Sequence, residues 1–243
     1  EIINMKYFLY TLLFSTFFSC HSNDNLNLET STTENSEFQI YTPEQDSIIK
    51  KTFEKLKSNE LGLYDPEVQV ILSEGLEEDS TISQLWQQKA MPLYKQGKYE
   101  LGLPFLNKAV KHNRREYLPY RAFMKCIFAK DYSGAIKDFE ACIAEQGNLY
   151  EMDHTYTFYI ALSYLQLNKF QQAEALLNED INTLFEAKGE DWVHHIDLFY
   201  YGISLFEQSK YDEAILQFDK SLSKYPEFSD AQYYKAVSLK KLG

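Results

Sequence analysis

From residue 81 onward, large, small and polar positions return in the same order four times. The segments GKYELGLPFLNKAV, KDYSGAIKDFEACI, NKFQQAEALLNEDI and SKYDEAILQFDKSL align on Tyr99, Tyr132, Phe170 and Tyr211. Three residues beyond each anchor stands a small side chain (Gly102, Ala135, Ala173, Ala214), and seven beyond a large one (Leu106, Phe139, Leu177, Phe218). Ten beyond come Ala109, Cys142, Asp180 and Ser221. Nine residues before the anchors stand Ala90, Phe123, Ala161 and Gly202, and six before stand Leu93, Cys126, Tyr164 and Leu205. Steps of three, four and seven keep residues on one helical face. The positions before and after each anchor therefore belong to two consecutive helices. Small residues on facing helices let the backbones approach, and large ones fill the space beside them. The predicted unit is a helix hairpin.

Ahead of the repeats, Thr42-Pro43-Glu44-Gln45 combines a hydroxyl cap, a proline suited to the first turn and a Gln at the capping-box position. With Ile48, Ile49, Phe53 and Leu56 on one face, it predicts a helix from Pro43 to Lys57. Asp65-Pro66 repeats the signal before Val68, Val70, Ile71 and Leu72. Residues 42–80 thus read as an acidic helical pair. Pro92 and Pro104 fall inside the two helices of the first repeat, where an interior proline costs about 3 kcal/mol, and predict a kinked or irregular cap there.

The start of the chain has a different pattern. MKYFLYTLLFSTFFSC begins at Met5 with one charge at Lys6, runs apolar from Tyr7 to Phe18, and places Ser19 before Cys20. This is the layout of a secretory leader, its apolar stretch too short to span a bilayer, which takes roughly 20 residues. The following HSNDNLNLETSTTENSE has too little apolar surface to offset the entropy of ordering and predicts a flexible tether.

The repeats resemble the tetratricopeptide repeat, whose first helix carries a large residue, a Leu-Gly pair and a Tyr, and whose second carries Ala, Phe, Ala and a closing Pro. The match is fullest at Leu198, Tyr201-Gly202, Leu205, Tyr211, Ala214, Phe218, Leu222 and Pro226; Trp86 supplies the family Trp in the first unit. The resemblance implies an all-α fold, an α-solenoid of about four full hairpins and a partial fifth starting at Ala236 and Leu239. The short helical pair and the tether would precede it. Ser19-Cys20 is similar to the lipobox of bacterial lipoproteins, which implies cleavage after residue 19 and a lipid on Cys20. The expected organisation is a signal peptide over 1–19, a tether over 20–41, the helical pair over 42–80 and the repeat array over 81–243, truncated at its C-terminus. Anchor spacings of 33, 38 and 41 residues, against a family period of roughly 34, predict insertions in the loops before Phe170 and Tyr211.

In this family the first helices line a concave side. Twelve residues before the anchors stand Gln87, Tyr120, Phe158 and Phe199, with Tyr233 in register; eight before stand Met91, Met124, Leu162, Ile203 and Val237. Tyr120, Met124, Phe158, Leu162, Phe199, Ile203 and Tyr233 are the candidate groove residues for a protein or peptide partner. The other reading of the same stripe is packing between neighbouring first helices. Arg121 is the one basic side chain of the stripe in the full units, so the Lys, Asn and Arg array that clamps chaperone tails is absent.

Formal net charge is -12, of which residues 20–80 carry 14 acidic against 4 basic side chains. This charge and the lack of a Lys/Arg cluster argue against nucleic acid. No Walker loop, GxSxG, HExxH or dinucleotide glycine pattern occurs, so neither catalysis nor a cofactor is expected. Asp191, His194, His195 and Asp197 form the one cluster with metal-ligand chemistry, which a helix start explains as well; no metal is assigned. Cys126 and Cys142 read as two buried thiols, although export would permit a disulfide. The functional expectation is a non-catalytic scaffold anchored in the bacterial cell envelope, at the outer membrane or facing the periplasm. The alternatives are a glycan- or small-ligand-binding lipoprotein and the repeat region of a longer enzyme. Oligomeric state is left open.

Overall fold

The computed structural model describes residues 41–243, so the expected leader, Cys20 and the tether up to residue 40 lie outside the described residues. The described chain is all-α apart from one two-stranded hairpin, and it divides into two compact bodies, residues 41–124 and 125–243.

The first body opens with α1 (Pro43–Ser58) and α2 (Pro66–Glu78). Thr42 Oγ1 accepts from Gln45 N at 3.2 Å and Gln45 Oε1 accepts from Thr42 N at 3.1 Å, the reciprocal box the sequence predicts. Asp65 accepts from Glu67 N at 2.9 Å and starts α2. Next come α3 (Ser83–Lys95), α4 (Tyr99–His112) and α5 (Arg114–Met124). The core joins Leu56, Val68, Ile71, Leu72 and Leu76 to Ile82 and Leu85, so the acidic pair and the first repeat share one interior across residue 80. Helices α3 and α4 run through Pro92 and Pro104 rather than ending there. Close packing holds this hairpin together. A Cβ on Gly102 would lie 2.6 Å from the Tyr94 ring, and Ala90, Leu106 and Ala109 have no exposed surface.

The second body starts with a π-helical turn, Lys125–Ala129, followed by α6 (Tyr132–Gln146). Strands β1 (Tyr150–Glu151) and β2 (His154–Thr155) pair antiparallel, Tyr150 opposite Thr155 and Glu151 opposite His154. Thr155 then caps α7 (Tyr156–Gln166), accepting from Phe158 N at 3.1 Å. Helix α8 (Phe170–Lys188) precedes a 3-10 turn at Glu190–Trp192, and α9 (His195–Phe206), α10 (Tyr211–Lys224) and α11 (Ser229–Leu242) complete the chain. Successive helices pack antiparallel, in the way the repeated small and large positions require. A Cβ on Gly202 would stand 2.5 Å from the Phe218 ring, so only glycine lets α9 and α10 come this close.

The extra residues between anchors are not all loop. The spacing of 38 is taken up by the β1–β2 hairpin. Part of the spacing of 41 lengthens α8, which has 19 residues against 14 in α10. Asp180 on α8 accepts from Thr155 Oγ1 at 2.6 Å and Asn148 Nδ2 at 2.9 Å, which fastens the hairpin to the helix.

Candidate partner-binding surface

In the second body the sequence-predicted stripe lies at the seams between helices. Phe158 and Phe199 are each 1% exposed, and Leu162 and Ile203 are buried beside them. The Phe199 ring lies 5.9 Å from Phe218, 5.0 Å from Phe228 and 5.9 Å from Tyr234. Phe158 stacks on His154 at 4.0 Å and meets Tyr200 edge-on at 5.8 Å. These rings are packing, and side chains so enclosed have no free face to offer in this arrangement. Tyr233, on α11, is 54% exposed. In the first body Met124 is buried, while Tyr120, Gln87 and Met91 are half-buried.

The same helical face continues one turn further to a residue the apolar pattern does not mark. Glu207 stands four residues after Ile203 and eight after Phe199, at the C-cap of α9. Its Oε1 is shielded from water and has no hydrogen-bond partner, the one such side-chain atom among the described residues. Burial raises the Glu207 carboxyl above the usual carboxylate range, and does the same to Asp230 on α11. The Tyr234 hydroxyl is pushed up to about 12, first by burial and then by the charge of Glu207.

A second row runs beside the stripe: Tyr159 and Ser163, Tyr200 and Ser204, Tyr234 and Ser238. The three serines are fully buried. Ser163 and Ser238 donate to the carbonyls of Tyr159 and Tyr234 at 2.8 and 2.7 Å, and Ser204 donates to Tyr201 at 2.7 Å, so each hydroxyl is satisfied within its own helix. The Tyr-x-x-x-Ser spacing is legible in three successive first helices. Cys126 Sγ lies 3.3 Å from Ser163 Oγ, and burial pushes this thiol up to about 12, well away from thiolate chemistry. Cys142 is buried as well, and the two sulfurs are not joined.

The histidine-rich cluster is a helix start tied to the β-hairpin. His194 Nδ1 accepts from Ile196 N at 3.3 Å, and Asp197 Oδ2 accepts from His194 N at 3.1 Å. The other Asp197 oxygen sits 2.8 Å from Nδ1 of buried His154, 43 residues away in sequence. His195 packs 5.1 Å from the rings of both Tyr225 and Phe228, and its pKa falls to about 4, chiefly from burial and secondarily from His194. Among the described residues no three His, Cys, Asp or Glu side chains converge in a metal-holding arrangement. Beside them lies a depression of about 540 Å³ lined by Glu190, Asp191, His194, His195, Ser223 and Lys224. Among the described residues no helix is long and apolar enough to cross a membrane.

Residues 202–243 match the sequence model of the tetratricopeptide repeat. The fold is that of tetratricopeptide-repeat proteins. A tetratricopeptide repeat protein from Parabacteroides merdae superposes with a TM-score of 0.61 at 16% identity, covering 82% of this chain and 73% of that one. PilW, a type IV pilus biogenesis factor, gives 0.61 at 12% identity, covering 82% and 88%. YrrB, described as a tetratricopeptide protein with an unusual peptide-binding site, gives 0.51 at 19% identity, covering 70% and 82%. Comparison with curated protein sequences returned no match. At these identities the likeness concerns the tetratricopeptide fold alone.

Proposed function

We propose that this chain is a non-catalytic interaction scaffold, held at the bacterial cell envelope by a lipid on Cys20, that takes a peptide segment of a partner protein along the inner row of first helices. The buried residues Phe158, Leu162, Phe199 and Ile203 form the floor of this surface in the second body; Tyr120 and Met124 hold the corresponding repeat positions within the first. Tyr233 is its exposed anchor. The observation that carries the reading is Glu207. A buried acceptor without a donor costs roughly 1–3 kcal/mol, and rotation of this half-buried side chain toward a lysine, arginine or backbone amide of a partner would recover it. The peptide-binding description of YrrB, a relative in fold, supports the same use of the repeats.

A photo-crosslinking amino acid placed at Tyr233 in the full chain, expressed in bacteria and irradiated, tests this. The expected result is a protein adduct from position 233, lost when Glu207 is replaced by Ala, with no adduct from the equally exposed Leu216 on α10. No adduct at 233, or one indifferent to Glu207, would reject the reading.

A further inference from the structure

The two segments that break the repeat period leave a set of large apolar side chains in solvent. Tyr150 and Met152 come from the β-hairpin, Phe185 from the last turn of α8, and Trp192 from the 3-10 turn. Met152 is 51% and Trp192 55% exposed, and Leu149, Tyr150 and Phe185 on the same segments are exposed as well. Lys188 joins the set, its Nζ 5.0 Å from the Tyr150 ring centroid and 4.2 Å from that of Trp192. The hairpin segment is tied to α8 by the bonds from Asn148 and Thr155 to Asp180, and to the start of α9 by the bond between His154 and Asp197, so the patch is preformed. Isolated exposed apolar residues are ordinary; a contiguous group rich in Trp, Tyr and Met marks an interaction surface.

The surrounding charge selects the occupant. Asp153, Glu186, Glu190 and Asp191 are exposed around the patch, and among the described residues none of them is in an ion pair. An acidic rim repels an anionic lipid surface and a second acidic copy of this chain, and attracts a cationic partner. We infer that this patch is a second docking surface, separate from the inner row, for a protein segment that presents apolar side chains flanked by Lys or Arg.

The test is fluorescence anisotropy of labelled synthetic peptides with the full chain. The probes are an alternating Lys-Leu peptide, its Glu-Leu counterpart and a Lys-Ser peptide of equal charge. Binding of Lys-Leu alone is expected, weakened about tenfold by Tyr150→Ser with Trp192→Ser, and about as much by Glu186→Lys with Glu190→Lys, but not by Glu207→Ala. Met152→Ser, at an exposed turn, is expected to weaken binding in the same direction and serves if the double variant does not fold. Equal Lys-Leu binding by wild type and the Ser variants would show attraction to net charge alone and overturn the inference. So would no binding, comparable Lys-Ser binding, partition onto phosphatidylcholine vesicles without peptide binding, or self-association lost in the variants.

Discussion

The α9–α10 hairpin and the inserted segment around β1–β2 lie in the same body and are built on opposite terms. Between α9 and α10 the interface is chiefly shape, with Ser221 Oγ donating to the His195 carbonyl at 2.8 Å: Gly202 admits Phe218, Ala214 is enclosed, and Phe199 closes the gap toward Phe228 and Tyr234. The insertion is held instead by buried polar bonds, His154 to Asp197 and Asp180 to Thr155 and Asn148, while its large apolar residues face outward. Where the period is kept, the large groups at the repeated anchor-plus-seven positions are used up in packing. Where it is broken, large apolar groups remain available.

The largest expected effect lies on the shape side of this contrast. Phe199→Ala should lower stability by about 3–5 kcal/mol in chemical denaturation, because three neighbouring rings cannot collapse into the space; a loss below about 1 kcal/mol would remove Phe199 from the core. Asp197→Ala should cost about 2–3 kcal/mol, since it strands buried His154 and opens the helix cap together. Asp197→Asn should recover part of that loss by keeping an acceptor.

Acid should separate the regions next. Burial lowers His195 to about 4 from its ordinary value, so the folded state prefers the neutral ring. The stability this gives is complete above about pH 6.5 and is lost as pH falls through about 4. Asp180, Glu207 and Asp230 are raised by burial and pull the other way, so the informative quantity is a difference. The Tm of wild type minus that of His195→Gln should be level above pH 6.5 and shrink below it; a flat difference down to pH 4 would show that the ring is not enclosed as described. The smallest effect expected is Lys188→Ala, about 0.5–1 kcal/mol for an exposed cation over two rings, read as a Tm shift.

How much of this was legible beforehand follows the same division. The hairpins could be read because Gly102, Ala135, Ala173 and Ala214 recur against Leu106, Phe139, Leu177 and Phe218, and a local code repeated in register survives tertiary context. The caps at Thr42 and Asp65 were equally local. The β-hairpin was not visible, since its strands are two residues each and have no period to detect. Nor could His154 be matched with Asp197, because nothing local links positions so far apart. The apolar residues of the predicted stripe in the second body are covered by their neighbours, and an apolar pattern cannot tell a floor from an open wall. Glu207 lies one helical turn beyond that pattern, and a charged residue carries no apolar signal to mark it.

Glu207 is also where the account can be tested most directly, by measuring stability and partner crosslinking at Tyr233 side by side in Glu207→Met. If the carboxylate is kept for a partner, the variant gains about 1 kcal/mol in stability by losing a buried unpaired acceptor, and its crosslinking falls away. A variant that loses stability, or that crosslinks as wild type does, would contradict the assignment.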